Sequence, residues 1–288
     1  MTVDGVRFGA RLRAAMDRYG PVCVGIDPHP ELLTAWGLPD TPAGLATFSQ
    51  TVIEALADRV ALIKPQSAFY ERFGSAGIVV LESTIRQLRS AGALVLLDVK
   101  RGDIGSTAAA YADAYLDPAS PLRVDAITAS PYLGVGSLAP MIDKAVATGA
   151  GVFVLALTSN PEGGSVQRAR GADGRTVAQR VIDEVAQVNV GVEPLGDIGV
   201  VIGATVGDSG LDLSLLNGGI LVPGLGAQGG TPADLTGVFG SAVGAVVPSY
   251  SREILRAGPS VAALREATAA VQVACRDAIR PIGRGAPD

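Results

Sequence analysis

Hydrophobic and polar positions follow two alternating patterns along this chain. Eight short runs are continuously apolar, rich in β-branched residues and bounded by turn-forming residues, which predicts strands buried on both faces. They cover residues 22–27, 60–65, 93–100, 125–130, 152–159, 199–205, 219–226 and 245–251. Between them, apolar residues recur three and four positions apart, as over 41–59 and 76–91, which predicts amphipathic helices.

Strand and helix alternate eight times, which predicts a (β/α)8 TIM barrel as a single domain. An open, doubly wound sheet is the alternative. That fold usually has a glycine-rich phosphate-binding turn after its first strand, and Asp27-Pro28-His29-Pro30 contains no glycine. No repeat or linker divides the chain, so we expect the barrel to span residues 1–280. The segment 281–288, rich in glycine and proline, is expected to be a frayed tail.

The composition limits the cell compartment and the classes of binding partner that we expect for the protein. Hydrophobic residues make up 48% of the chain and charged residues 18%, as in a globular protein with a large core. The net charge of −5 gives no basic field for nucleic acid. The two cysteines exclude a disulfide framework and fit a reducing cytoplasm. No apolar run reaches the roughly 18 residues of a membrane span, and residues 1–20 predict an amphipathic helix rather than a signal peptide.

Charged side chains stand where the predicted strands end. Asp98 and Lys100 end the third strand, and residues two apart on a strand share a face. Because the carboxyl ends of all barrel strands form one face, six polar residues should converge there. These six are Asp27, Lys64, Asp98, Lys100, Ser159 and Arg252. A lysine held between carboxylates stays protonated at neutral pH and can donate a proton, although a structural ion pair would explain Asp98 and Lys100 alone.

Two loops on the same face favour an anionic ligand and a mobile cover. The turn after strand seven, from Pro223 through Gly226 and Gln228 to Gly230, is glycine-rich, so its backbone N–H groups can approach a phosphate. Arg252 follows strand eight and can bind phosphate oxygens with two N–H groups. The segment 160–175 is the longest irregular stretch and is a candidate lid.

Other groups near the third strand allow more than one interpretation. Asp103 or Ser106 could simply cap the following helix. Asp98 and Asp103 could bind Mg²⁺, but Lys100 lies between them and competes for the space. His29 is the only histidine, which argues against a catalytic triad or a multi-histidine metal site, and we expect it to pack within its loop.

The pattern Asp-x-Lys-x-x-Asp followed by Ile-x-x-Thr, over residues 98–107, resembles the orotidine 5′-monophosphate decarboxylase family, and specifically its longer bacterial subfamily. The resemblance extends over nearly the whole chain. It implies a carboxy-lyase that converts orotidine 5′-monophosphate to UMP and CO₂ in pyrimidine biosynthesis, without a metal or cofactor and as a homodimer.

The resemblance also implies a role for each candidate residue. Lys100 would donate a proton to C6, and Lys64, Asp98 and Asp103 would complete an alternating set of charges. The ribose hydroxyls would be bound by Asp27, Lys64 and Thr107, and the pyrimidine edge by Ser159. The phosphate would be bound by Gln228 and Arg252, with Pro223 and Gly226 in the same turn as Gln228. Asp103 and Thr107 would reach into the neighbouring subunit's site.

Two other functions remain open at this point. A related sugar-phosphate decarboxylase or aldolase could use the same barrel with Mg²⁺ or a lysine Schiff base. A nucleotide-binding barrel that has lost its chemistry would bind UMP without turnover. The complete set of charged residues favours the decarboxylase.

Overall fold

The computed structural model describes residues 5–227 and 229–279, so the predicted tail at 281–288 lies outside the described residues. Each of the eight predicted strands is present. They are β1 (Cys23–Ile26), β2 (Leu62–Pro65), β3 (Leu96–Arg101), β4 (Ala126–Ala129), β5 (Gly151–Leu157), β6 (Gly196–Ile202), β7 (Gly218–Val222) and β8 (Val246–Tyr250). Most are shorter than their apolar runs by one to three residues.

All strand pairs are parallel, and the strand order is β2-β1-β8-β7-β6-β5-β4-β3. The two outer strands also meet, through parallel bridges between Ile63 and Val95 and between Gln66 and Asp98. The sheet therefore closes on itself, and the predicted (β/α)8 barrel is confirmed.

Helices connect the strands. They are α1 (Phe8–Tyr19), α2 (Pro30–Ala35), α3 (Pro42–Leu56), α4 (Ala68–Glu71), α5 (Gly74–Ser90), α6 (Gly105–Leu116), α7 (Ala139–Thr148), α8 (Gly164–Gln167), α9 (Val177–Val188), α10 (Pro232–Phe239), α11 (Arg252–Leu255) and α12 (Val261–Ile279). The helices predicted over 41–59 and 76–91 are present as α3 and α5 with slightly different ends. Helix α3 begins at Pro42 because the Thr41 side chain accepts a hydrogen bond from the Gly44 amide. None of the described helices is long and apolar enough to cross a bilayer.

The core has an inner and an outer layer. The inner layer fills the barrel with one side chain from each strand, among them Cys23, Leu62 and Phe153. Helix α1 covers the amino-terminal end of this layer with buried Phe8, Leu12 and Met16. The outer layer packs the other strand faces against the helices. Because α1 covers the amino-terminal end of this inner layer, the barrel interior is reached from the carboxyl-terminal end, where TIM-barrel active sites lie.

Candidate active site

A cavity of about 370 Å³ opens at the carboxyl ends of β1, β2, β3, β7 and β8. Its polar lining consists of Asp27, His29, Lys64, Gln66, Asp98, Lys100, Ser249, Ser251 and Arg252. Five of the six polar residues predicted to converge are in this group, and Ser159 is the exception. Active sites of TIM barrels lie on this face, so the cavity is the candidate active site.

Asp98 connects the charged groups at the centre of the cavity. Its Oδ2 lies 2.9 Å from Lys64 Nζ, and its Oδ1 lies 2.6 Å from Lys100 Nζ. The Thr128 hydroxyl on β4 donates a third hydrogen bond to Oδ1, at 2.8 Å. The Lys64 and Asp98 side chains are 7% and 8% exposed, whereas Lys100 is 48% exposed. One ammonium is therefore enclosed, and the other is presented to the cavity.

The charges of this group reinforce one another. Burial alone would raise the pKa of Asp98, but Lys64 and Lys100 outweigh it and hold the pKa of that carboxyl well below its usual range. Burial alone would lower the pKa of Lys64, but the Asp98 and Asp27 carboxylates raise the pKa of that amine above its usual value. Asp98 and Lys64 are consequently both ionised at neutral pH.

The backbone of β3 departs from a regular strand where it presents Lys100. The pairing with β4 shifts register between Leu97 and Arg101, and Lys100 has a φ of +46°. This left-handed conformation costs a non-glycine residue about 1–2 kcal/mol. The amides of Val99 and Lys100 both donate to Thr128 Oγ1, at 3.1 and 2.9 Å. The predicted meeting of Asp98 and Lys100 is found, but strand alternation is the wrong reason for it, because a bulged backbone held by Thr128 directs the lysine.

The glycine-rich turn after β7 borders the same cavity. Pro223, Gly224, Leu225 and Ala227 line it. The Gly226 amide donates to the Gly230 carbonyl at 2.8 Å, and Gly226 has a φ of +66°, so this glycine closes the turn and is not in the cavity lining. Gln228 lies outside the described residues.

Two oxygens at the β1 and β8 ends of the cavity have no hydrogen-bond partner among the described residues. They are Asp27 Oδ1 and Ser251 Oγ, and both are buried. Arg252, the first residue of α11, lines the same part of the cavity. Buried polar atoms without a partner are rare in folded proteins, so these oxygens indicate room for a ligand that brings its own hydroxyl or amide groups.

Asp103 and Thr107 do not line the cavity of the single chain. Asp103 is half-buried, and its Oδ1 accepts a hydrogen bond from the Ile104 amide at 2.8 Å. Ile104 occupies the N-cap position of α6 without a side-chain cap, so the interpretation of Asp103 or Ser106 as the helix cap is wrong. Thr107 is exposed and Ile104 is 61% exposed. The start of α6 is therefore largely exposed to solvent in the single chain.

Ser159 and the segment after β5 also lie apart from the cavity lining. Ser159 is exposed. The segment 160–175 is less irregular than predicted, because it contains a 3-10 turn (Pro161–Gly163) and the one-turn helix α8. The side-chain oxygen of Gln167 accepts the Thr158 amide at 2.9 Å, and its nitrogen donates to the Thr158 hydroxyl at 2.9 Å. Gln167 thus folds the segment back onto the end of β5.

Comparison with known proteins identifies the family. The model of the orotidine 5′-phosphate decarboxylase / HUMPS family matches residues 20–267. The chain belongs to this family. The matched range contains every candidate site residue from Asp27 to Arg252. Among members of the orotidine 5′-phosphate decarboxylase family, the chain is 68% identical to the orotidine 5′-phosphate decarboxylase of Salinispora arenicola, over 94% of this chain and 98% of that protein.

Further relatives agree with this assignment. The orotidine 5′-phosphate decarboxylase of Streptomyces coelicolor is 60% identical, over 94% of this chain and 98% of that protein. A crystal structure of a Streptomyces avermitilis protein is 58% identical and superposes with a TM-score of 0.93, covering 97% of both chains. The family and the barrel therefore rest on sequence and structure together.

Five polar residues of the site were missed from the sequence: four line the cavity, namely Gln66, His29, Ser249 and Ser251, and the fifth, Thr128, bonds to Asp98. Thr128 lies in the predicted strand 125–130, so the argument that polar residues at strand ends form the site could have found it. Gln66 is two residues after Lys64, and its Oε1 lies 3.5 Å from Lys64 Nζ. His29 packs against Phe69 with ring centroids 4.2 Å apart, as a packing residue would, but it also lines the cavity. Burial lowers the pKa of His29, so its imidazole is largely neutral at pH 7.

The structure also bears on the interpretation of Asp98 and Asp103 as Mg²⁺ ligands. Within residues 5–227 and 229–279, no group of three or more His, Cys, Asp and Glu side chains is arranged to hold a metal ion. At the centre of the cavity, Lys100 Nζ occupies the place beside Asp98 where a cation would bind.

Proposed function

We propose that this decarboxylase converts orotidine 5′-monophosphate to UMP and CO₂, with Lys100 as the proton donor to C6. The observation that carries the proposal is the position of the Lys100 ammonium, which is anchored to Asp98 at 2.6 Å and half-exposed at the cavity. The family match and the activity named for the relatives support the substrate. They favour it over the sugar-phosphate alternative.

Lys100 supplies both the positive charge and the proton in this mechanism. When the bond between C6 and the carboxyl carbon breaks, CO₂ leaves and the electron pair stays on C6. A unit positive charge about 4 Å away stabilises this carbanion by about 4 kcal/mol at an effective dielectric constant of 20. The Lys100 N–H proton then transfers to C6, and the neutral amine regains a proton from water.

Asp98 positions the proton donor. Its carboxylate is held by Lys64 and Thr128 as well as by Lys100, so it has little freedom to move. Because the pKa of Asp98 is well below its usual range, it stays ionised and does not take the proton intended for C6. Reorganisation of the site during the reaction is consequently small.

The rest of the cavity would bind the parts of the substrate that do not react. The unpartnered Asp27 oxygen and the nearby Lys64 suit ribose hydroxyls. Arg252, Pro223 and the turn that includes Gly226 and Gln228 suit the phosphate. Ser159 would contact the pyrimidine edge after the segment 160–175 moves toward the cavity. Binding energy from the remote phosphate can be used in such a closure to raise the rate.

A homodimer would complete the site. Asp103 and Thr107 lie outside the cavity of their own chain, at the exposed start of α6. Ile104 beside them is 61% exposed, and Tyr132 and Leu133 in the segment after β4 are 79% and 55% exposed. Apolar exposure of this kind is typical of a subunit interface. We expect Asp103 of one subunit to add the second carboxylate beside Lys100 of the other.

The decisive experiment compares Lys100→Ala with Lys144→Ala. The chain has three lysines, and Lys144 pairs on the surface with Asp113 and Asp117, so it is a matched control. The loss of substrate absorbance should be slower by several orders of magnitude in Lys100→Ala and unchanged in Lys144→Ala. Both variants should unfold near the wild-type urea midpoint.

Three results would contradict parts of the proposal. A near-normal rate in Lys100→Ala would refute Lys100 as the proton donor. Trapping of substrate on Lys64 or Lys100 by borohydride would favour an aldolase with a Schiff base. Tight binding of UMP by the wild-type protein without turnover of orotidine 5′-monophosphate would indicate a binding protein.

A further inference from the structure

A second cavity, of about 250 Å³, lies at the end of the barrel opposite the candidate active site. Helix α1, the end of α5 and the segments that lead into β3, β4 and β5 surround it. Three arginines line it: Arg11 on α1, Arg89 on α5 and Arg123 before β4. Each is half-buried, so their charges are partly removed from water. We call this group the arginine site.

The single carboxylate in the lining does not balance these charges. Asp125 Oδ1 pairs with Arg11 at 2.5 Å, and its Oδ2 accepts the Val95 amide at 2.9 Å, so both oxygens are engaged. Among the described residues, the Arg89 and Arg123 guanidinium groups form neither a hydrogen bond nor an ion pair with an N–O distance of 4.0 Å or less. The arginine site therefore has two positive charges in excess.

The three arginines also affect one another. Burial and the neighbouring Arg89 guanidinium lower the pKa of Arg123 by more than the Asp125 carboxylate raises it, and Arg11 adds to the lowering. Arg11 Nε is buried without a hydrogen-bond partner among the described residues. An anion placed between the guanidinium groups would relieve this repulsion and accept their N–H groups.

Another arginine cluster in the molecule shows the difference. Arg18, Arg59, Arg265 and Arg276 line a cavity beside the end of α1. There, Arg265 donates to the carbonyls of Glu54 and Ala55, and Arg276 donates to the carbonyl of Tyr19. Arg265 and Arg276 thus satisfy carbonyls at helix ends, which is a structural role, whereas Arg18 stacks on Tyr19 and Arg59 pairs with Asp58. Arg89 and Arg123 make no such bonds.

We propose that the arginine site binds a phosphate group of a small phosphorylated metabolite. Two excess charges match a phosphate dianion, and planar guanidinium groups suit phosphate oxygens. A third cavity, of about 420 Å³, shares Arg89 and Arg123 and adds Arg86, Ser90 and Ser120. The part of the ligand attached to the phosphate would lie there. The site is separate from the catalytic cavity and does not depend on the proposed reaction.

The test uses inorganic pyrophosphate as the probe. Isothermal titration calorimetry is done at constant ionic strength on an Arg252→Ala background. This substitution removes the arginine that would bind phosphate in the catalytic cavity. Pyrophosphate should bind saturably. Adding Arg89→Gln and Arg123→Gln should weaken it by at least about tenfold, since two charge-assisted contacts are lost. Adding Arg18→Gln and Arg59→Gln, the same change of charge elsewhere, should leave binding unchanged.

Two further measurements test whether the variant is folded and which part of the ligand is recognised. With Arg252 intact, the Arg89→Gln, Arg123→Gln protein should decarboxylate at the wild-type rate, which shows that it is folded. ADP is titrated beside pyrophosphate: tighter binding of ADP assigns the third cavity to a nucleoside, and equal binding assigns recognition to the phosphates alone. Absence of saturable binding at millimolar pyrophosphate, or equal losses in both pairs of variants, would overturn the proposal.

Discussion

Replacement of Thr128 by valine tests how Lys100 is held. Valine keeps the shape of threonine and removes only the hydroxyl. That hydroxyl donates to Asp98 and accepts the amides of Val99 and Lys100, at distances of 2.8 to 3.1 Å. Thr128 is 1% exposed, so water cannot easily replace the lost bonds.

The expected cost follows from the burial of each group. The Val99 amide is buried, and leaving it unsatisfied costs about 1–3 kcal/mol. The Lys100 amide is only partly buried, so water recovers part of its loss. We expect the free energy of unfolding to fall by about 2–3 kcal/mol in total. A lysine released from its left-handed backbone moves relative to C6, and a displacement of about 1 Å costs on the order of 100-fold in kcat.

The assay combines urea unfolding with decarboxylation kinetics under saturating substrate. Thr128→Ser is the control, because serine keeps the hydroxyl and loses one methyl group. It should lose about 1 kcal/mol of stability and keep a kcat close to wild type. The reasoning would be refuted by a folded Thr128→Val protein with wild-type kcat, or by a serine variant that loses as much kcat as the valine variant.

Three further predictions concern other parts of the molecule. In steady-state kinetics, Arg252→Ala should lower kcat/KM by about 10- to 100-fold, mainly by raising KM, because a phosphate contact is lost. The control Arg256→Ala, at the exposed end of α11, should leave kcat/KM unchanged. Because the lysines hold the pKa of Asp98 below its unfolded value of about 3.9, its stabilising effect is present above that pH and is lost as the pH falls through the folded pKa. The difference in unfolding free energy between wild type and Asp98→Asn should therefore be constant from about pH 5 to 8 and narrow below about pH 4 in urea titrations. Burial raises the pKa of Cys23 to about 12, so mass spectrometry should find this thiol unalkylated by iodoacetamide at pH 8 in the native protein and alkylated in urea.

The barrel could be predicted because the sequence patterns that indicate its strands and helices are local. Each strand buried on both faces is an uninterrupted apolar run, and each long helix has a regular apolar spacing, so neither depends on distant residues. The ends of these apolar runs also predicted the site residues Asp27, Lys64, Asp98, Lys100 and Arg252, and the structure brings them to one cavity.

Other features of the site depend on contacts that a linear pattern does not contain. The left-handed conformation of Lys100 depends on a hydroxyl 28 residues away, on a neighbouring strand. The segment 160–175 contains short helical turns because Gln167 bonds back to Thr158. A helix of one turn is too short to show a repeating apolar pattern in the sequence. The contacts proposed for Asp103 and Ser159 require a second subunit and a loop closure, so they remain predictions.

The position of α1 has a consequence for biosynthesis. This helix is made before every strand of the barrel, yet the acceptor for the Arg7 side chain and the Gly9 amide is Asp197, about 190 residues further along the chain. During translation, Phe8 and Leu12 must stay exposed until β6 and β7 have been made, which is a contact of high sequence separation. Nascent chains halted before that point would present this apolar surface to chaperones or to one another.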